Sequence, residues 1–138
     1  MKEVFLNLFA RELKIIYSDF VMIPIPSFEE DDKIRGFNHV KEAFAYLGLE
    51  SVPILIKTAH YKQAEKNAKN RKDISKYLAL NSKPDLSKKR ILLVDDIYTT
   101  GSTMMSAINL VEKLRPKEIR VLVLAKTKDK TDNKTNTK

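Results

Sequence analysis

The sequence predicts a single α/β domain in which a parallel sheet carries helices on both faces. Apolar runs with the length of buried strands alternate along the chain with segments whose apolar residues recur at helical spacing. The 138 residues are enough for one core of modest size. The absence of cysteine excludes a disulfide framework and a thiolate metal site. Strands that are separated by helices favour parallel pairing.

The first third of the chain contains two predicted helices and one predicted strand. Residues 3–17 form an amphipathic helix, and residues 21–25 form a strand whose end is stiffened by proline. Residues 39–47 form a second helix, with Asn38 as its N-cap and Gly48 after its end. The apolar face of the first helix is predicted to contain Phe5, Leu8, Phe9, Leu13 and Ile16.

Four further strands and a third helix are predicted in the remainder of the chain. Residues 53–57 and 77–80 are short strands, and residues 90–95 form a fully buried strand. A helix at 102–114 and a last strand at 118–125 complete the domain. The helix is predicted to bury Met104, Ala107, Ile108, Val111 and Leu114.

The segment ILLVDDIYTTGST, residues 91–103, carries the strongest functional signal. The buried strand runs into two adjacent carboxylates, Asp95 and Asp96, and a turn rich in hydroxyl groups leads into the helix. Backbone N–H groups at a helix N-terminus favour a phosphate, and carboxylates beside it suit sugar hydroxyls or a hydrated metal ion. A phosphorylated sugar is the simplest ligand for both halves. The turn consists of Thr99, Thr100, Gly101, Ser102 and Thr103.

Other protein classes fit this segment less well. A phospho-receiver domain would carry its paired acids after the first strand, and the only later aspartates, Asp129 and Asp132, lie in a polar tail. A nucleotide hydrolase would need a G-x-x-x-x-G-K-[ST] loop, which the three glycines cannot make. The remaining alternative is a solvated Asp pair before a capped helix. Two adjacent like charges repel each other unless a ligand or ion uses them.

In this order and at this spacing, the acid pair and the turn resemble the phosphoribosyl-pyrophosphate signature of the type I phosphoribosyltransferases. The resemblance implies a three-layer phosphoribosyltransferase-type fold and transfer of a 5-phosphoribosyl group from its pyrophosphate to a nitrogen acceptor. It also implies that Asp95 and Asp96 hold the ribose hydroxyls and act in catalysis, whereas residues 99–103 hold the 5-phosphate. Tyr98, between the two halves, would either cover the ribose or pack.

A second anion site is expected in the loop at 26–38, which follows a neighbouring strand. Ser27, Lys33 and Arg35 would hold the pyrophosphate, since an arginine can grip its oxygens with two hydrogen bonds. A solvated turn with ordinary surface charges is the alternative, because the acids at 29–32 oppose an anion. Mg²⁺ is expected as the cofactor, bound mainly through the pyrophosphate and with no direct protein ligand.

The string PIP…RGFN more narrowly resembles the ComF family, competence-associated proteins built on a phosphoribosyltransferase domain. Gln63 and Arg71 fit the middle element of its pattern, and the resemblance covers roughly residues 5–127. The four-cysteine zinc module with which that family usually begins is absent from this sequence. The matches at the two ends are Pro24, Pro26, Arg35, Gly36, Phe37 and Asn38, and then Asp95, Asp96, Thr99, Thr100, Gly101 and Thr103.

Composition bears on domain limits, location and partners. The formal net charge is +8, and part of the excess lies in a Lys/Thr/Asn-rich tail. We expect a phosphoribosyltransferase-like domain at 1–127 and a disordered tail at 128–138.

No apolar stretch approaches the roughly 20 residues of a membrane-spanning helix. The N-terminus lacks a signal cleavage site, so the sequence predicts no membrane insertion and a cytoplasmic location. A homodimer is left open.

Three functional classes stay open at this point. The first is a phosphoribosyltransferase that acts on a base or an amine, with residues 59–75 as the lid that excludes water. The second is a sensor that binds phosphoribosyl pyrophosphate without turnover. The third, implied by the resemblance to ComF proteins, is a DNA-uptake accessory protein that binds single-stranded DNA. Tyr61 and Tyr77, which flank the basic segment, could stack on bases.

Overall fold

The computed structural model describes residues 2–26, 39–58, 78–98 and 101–126. The tail at 128–138 and the candidate lid at 59–75 lie outside these ranges. In chain order the described elements are α1 (Lys2–Ile16), β1 (Phe20–Pro24), α2 (His39–Ala43), a 3₁₀ helix (Ala45–Leu47), β2 (Leu55–Lys57), β3 (Leu78–Leu80), β4 (Arg90–Tyr98), α3 (Ser102–Glu112) and β5 (Glu118–Lys126).

The central sheet is parallel, as the sequence predicts, with the strand order β1–β4–β5. The first residues of the three strands, Phe20, Arg90 and Glu118, lie side by side in register. Because the strands run in the same direction, their carboxyl ends meet at one edge of the sheet. Ligands of open parallel sheets bind at that edge.

The strands β2 and β3 form a separate antiparallel pair, so the prediction that they join the parallel sheet is wrong. Residues 50–52 still run parallel to β1. The next donor in that ladder would be the N–H at position 24 of β1, and Pro24 has none. The N–H of Ile54 donates instead to a carbonyl two residues earlier, at 2.9 Å, and this tight turn leads the chain out of the sheet. β2 then pairs with β3, with Lys57 opposite Leu78.

The core lies on both faces of β4. Ile91 and Leu93 belong to a cluster with α3 and the β2–β3 pair, whereas Leu92 and Val94 belong to a second cluster with α2 and the 3₁₀ helix. None of these four side chains is exposed, as alternation along a strand between two layers requires. Helices on both faces are therefore confirmed. The helical residues that complete the two clusters are Met104, Ala107 and Val111, and Val40, Phe44 and Leu47.

The second helix is shorter than the sequence predicts. Its α-helical part ends at Ala43, because the fully buried Phe44 has φ −108° and ψ 4°, outside helical geometry. A 3₁₀ helix follows and ends where it was predicted to, at Gly48, which has a left-handed φ of 63°. The N–H of Gly48 donates to the carbonyl of Ala45 at 3.1 Å. The predicted N-cap, Asn38, lies outside the described residues.

The C-terminal end of helix α1 packs against the described fold. Leu13 and Tyr17 pack against the cluster around Leu92, but Phe9 and Ile16 are 43% and 52% exposed. Within the part of the predicted apolar face whose side chains the structure describes, Leu13 is therefore the residue that packs on the core. No helix in the described ranges has the length and apolar character needed to cross a membrane.

An ionic cluster joins the amino ends of the three parallel strands. Arg90 donates to Asp19 at 2.8 Å and lies 3.5 Å from Glu118, which Arg120 contacts at 2.6 Å. The guanidinium groups of Arg90 and Arg120 lie 6.0 Å and 5.3 Å from the ring centroid of Phe20. This cluster stabilises the edge of the sheet that lies opposite the acid pair.

Candidate ligand-binding site

Asp95 and Asp96 lie in the last part of β4, within the strand rather than after it. The strand continues to Tyr98 because β5 pairs with it as far as Lys126. The expected strand at 90–95 is therefore three residues too short, since the strand ends at 98. The acids nevertheless lie near the carboxyl edge of the central strand, where the sequence predicts the ligand.

The two carboxyl groups interact directly. The backbone N–H of Asp96 donates to Oδ1 of Asp95 at 2.8 Å, and the side chains share a further hydrogen bond. Burial raises the pKa of Asp95 to about 7, and the neighbouring Asp96 carboxyl acts in the same direction. Asp95 therefore keeps its proton to a higher pH than an ordinary aspartate does. A pair in this state can both donate to and accept from sugar hydroxyls.

Lys57, which the sequence analysis did not single out, lies near the acid pair. It ends β2, and its positive charge acts to lower the pKa of Asp95. Lys57 therefore brings the β2–β3 pair close to Asp95, on the face of β4 that packs against α3. The signal in the sequence was weak: Lys57 is the cation that closes the apolar run at 53–57.

The described part of the predicted phosphate turn lies at the N-terminus of α3. Gly101 occupies the N-cap position with φ 79° and ψ −3°, and it makes no side-chain cap hydrogen bond. Ser102 and Thr103 are the first two helical residues, and the first turn contains no acidic residue that would repel an anion. Thr99 and Thr100 lie outside the described residues.

Tyr98 packs against the turn. Its hydroxyl oxygen lies 2.3 Å from the point that a Cβ on Gly101 would occupy, so the ring covers the α-carbon of that glycine. The structure shows that Tyr98 packs on the turn, and a role in covering the ribose stays a prediction.

The three residues predicted to hold pyrophosphate, Ser27, Lys33 and Arg35, lie outside the described residues. The chain that leads to them is described as far as Pro26. Ile25 donates its N–H to the carbonyl of Val94 at 2.9 Å, so the chain leaves β1 directly beside the acid pair.

The described residues offer no cluster of three or more His, Asp or Glu side chains that could hold a metal ion. Mg²⁺ stays a prediction, as an ion held mainly by phosphate oxygens. Such an ion keeps several waters and takes its other ligands from the substrate rather than from a protein cage.

Residues 35–138 match the model of the phosphoribosyl transferase domain family. The chain belongs to this family. Its membership agrees with the parallel sheet, the acid pair at the carboxyl edge and the glycine turn before α3. The resemblance drawn from residues 91–103 is thereby confirmed.

Two curated relatives confirm the narrower resemblance. The chain is 30% identical over 126 residues to competence protein ComFC from Streptococcus pneumoniae, which covers 91% of this chain and 56% of that protein. It is 32% identical over 108 residues to ComFC from Bacillus subtilis, covering 76% of this chain and 45% of that protein. The chain therefore spans about half the length of the curated relatives that it matches.

Solved phosphoribosyltransferase structures share the fold. A hypoxanthine phosphoribosyltransferase from Staphylococcus aureus superposes with a TM-score of 0.55 at 10% identity, over 94% of this chain and 76% of that one. At this identity the similarity establishes the type of fold and carries no statement about substrate.

Proposed function

We propose that this protein binds Mg²⁺-phosphoribosyl pyrophosphate and transfers its phosphoribosyl group to a nitrogen acceptor. The observation that carries the proposal is the hydrogen-bonded pair Asp95–Asp96 at the carboxyl edge of β4, followed directly by the glycine turn at the N-terminus of α3. Membership of the phosphoribosyl transferase domain family supports it.

In the proposed complex, Asp95 and Asp96 hold the ribose hydroxyls. In its protonated form Asp95 offers a donor as well as acceptors, so the pair can bind two neighbouring hydroxyls. The bond between C1 and pyrophosphate breaks through a state in which positive charge grows on the sugar. Negative charge on the acid pair stabilises that state, and a rigidly held ribose lowers the entropic cost of reaching it.

The 5-phosphate is assigned to residues 99–103. Backbone N–H groups at the start of α3 point toward the carboxyl edge of the sheet, and the partial positive charge of the helix terminus favours an anion there. Hydroxyl groups of Ser102 and Thr103, both half-buried, add donors. These residues bind and orient the ligand and take no part in bond breaking.

The pyrophosphate is assigned to Ser27, Lys33 and Arg35. The support for this assignment is the position of Ile25 beside Val94, which starts the segment next to the acids. Mg²⁺, when bound, neutralises charge on the leaving pyrophosphate. Arginine and lysine would add to that neutralisation.

Calorimetry with Mg²⁺ and phosphoribosyl pyrophosphate tests the ribose assignment. The double variant Asp95→Asn with Asp96→Asn should bind at least about tenfold more weakly than the wild type, since a charged acceptor pair is lost. Asp85→Asn, which changes an exposed aspartate elsewhere, is the matched control and should bind as the wild type does. Equal affinity in the double variant and the wild type would refute the assignment.

Turnover is tested separately from binding. Release of pyrophosphate on addition of purine, pyrimidine or amine acceptors would identify an enzyme and its acceptor class. Saturable binding with no release for any acceptor would favour a sensor of phosphoribosyl pyrophosphate.

A second candidate function is a competence accessory protein that binds single-stranded DNA. The names of the relatives and the net charge of +8 support it. Oligonucleotide binding should then weaken steeply with salt, because bound counterions are released from the phosphates. Affinity that does not change between about 50 and 200 mM salt would argue against it. A cytoplasmic location stays a prediction, and a homodimer stays open.

A further inference from the structure

The contact between Tyr98 and Gly101 links the end of β4 to the start of α3. A Cβ placed on Gly101 would lie 2.3 Å from the hydroxyl oxygen, 2.8 Å from Cζ and 3.4 Å from Cε2 of Tyr98. The outer end of the ring therefore occupies the space that any side chain at position 101 would need. Gly101 itself is buried, and its carbonyl accepts the first described helical hydrogen bond, from Met105 at 2.9 Å.

The ring of Tyr98 is held from two other sides. Tyr98 pairs in register with Lys126 of β5, and the Nζ atom of Lys126 lies 6.0 Å from the ring centroid. The ring also packs on the core cluster that contains Met104 of α3. A side chain fixed by the neighbouring strand and by the helix below it can hold the turn between them in one position.

We propose that Tyr98 is a positioning residue that presses on Gly101 and thereby aims the first N–H groups of α3 at the 5-phosphate. The inference rests on the proposed function, because it assigns a role within the same site. Tyr98 touches the glycine rather than the sugar, so its effect on the ligand is indirect. Position 101 must then be glycine for two reasons: the left-handed φ of 79° and the ring above it.

Two probes separate the two halves of the site. Ribose 5-phosphate reports on the turn, and pyrophosphate reports on the other anion site. In Tyr98→Ala the Kd for ribose 5-phosphate should rise about tenfold, because small misplacements of binding groups are costly, whereas the Kd for pyrophosphate should not change. Tyr98→Phe retains the ring and should restore ribose 5-phosphate binding to within about twofold of the wild type.

Substitution of Gly101 tests the same contact independently. Gly101→Ala should raise the Kd for ribose 5-phosphate in the wild-type background. In a protein that already carries Tyr98→Ala, the same substitution should raise that Kd by less than about twofold further. Tyr98→Leu keeps apolar bulk under the turn and replaces Tyr98→Ala in this test if Tyr98→Ala does not fold. It should also lose affinity for ribose 5-phosphate and keep its affinity for pyrophosphate. Tyr17→Ala, which removes a tyrosine from the opposite face of the sheet, is the control for general destabilisation.

The outcomes are distinguishable. If the wild type binds ribose 5-phosphate and both Tyr98→Ala and Tyr98→Leu bind it equally well, the positioning role is overturned and the proposed function stands. A parallel loss of both ligands in these variants also overturns it, since that reports general loss of structure. If the wild type binds neither ribose 5-phosphate nor phosphoribosyl pyrophosphate, the proposed function fails and this inference fails with it.

Discussion

The backbone N–H of Asp96 donates a 2.8 Å hydrogen bond to the carboxyl group of the preceding residue, Asp95. The bond holds the Asp95 side chain against the backbone of β4, close to the Asp96 carboxyl and partly shielded from water. Burial raises the pKa of Asp95 to about 7, so this carboxyl changes its charge near neutral pH. Stability and ligand binding should both depend on that charge.

Stability should fall as the pH rises from about 4 to about 7, because the folded state holds a proton on Asp95 that the unfolded state has already released. The loss should be about 2 kcal/mol, after allowance for solvent around a partly buried carboxyl. Urea unfolding of the wild type and Asp95→Asn at several pH values measures it. The variant should be the more stable protein above pH 7, and the difference should vanish near pH 4. A difference that is constant across this range would contradict the assignment.

Replacing Lys57 by methionine should raise the pKa of Asp95 further. The Lys57 cation favours the ionised carboxylate and so lowers the pKa of Asp95. Without it, the effects of burial and of the Asp96 carboxyl, which both raise this pKa, are less well balanced. NMR titration of the Asp95 carboxyl carbon measures the change. Lys83→Met, at an exposed position, controls for the loss of one positive charge from the protein. An unchanged titration midpoint in Lys57→Met would show that Lys57 does not act on the acid pair.

The part of the site that the sequence predicted rests on local signals. The apolar residues before Asp95 define a buried strand, and the glycine of the following turn marks the start of a helix at Ser102. Both features are encoded within a few positions of the acids, and parallel pairing then places the acids at the carboxyl edge. The buried residues of α3, such as Ala107 and Val111, followed from helical spacing in the same way.

What the sequence could not predict depends on contacts between distant segments. Strands of three residues, such as β2 and β3, take their pairing from tertiary contacts, and here Pro24 ends the parallel alternative. The approach of Lys57 to Asp95 follows from that pairing. The raised pKa of Asp95 likewise depends on burial, which no local pattern encodes.

The two left-handed glycines should respond differently to alanine. Gly48 has φ 63°, and among the described residues no heavy atom beyond its chain neighbours lies within 4 Å of the point that a Cβ would occupy there. Gly48→Ala should therefore cost only backbone strain, about 1 kcal/mol. Gly101→Ala should cost about 2–3 kcal/mol, because the ring of Tyr98 must also move. Urea unfolding measures both values, with Gly48→Ala as the matched control for strain. Equal losses of unfolding free energy in the two variants would show that the Tyr98 ring moves aside without an energetic cost.

Replacing Arg90 by methionine should lower stability by about 1 kcal/mol and leave ligand affinity unchanged. Arg90 joins Asp19 to Glu118 and lies over Phe20, but it is partly exposed and stands at the amino end of β4, opposite the acid pair. Because salt screens exposed ion pairs, the loss should shrink at about 1 M NaCl. Thermal unfolding at low and high salt measures it, with Lys88→Met, a nearby exposed cation, as the control. A salt-independent loss would show that packing of the side chain on Phe20, rather than charge pairing, is what stabilises this end of the sheet.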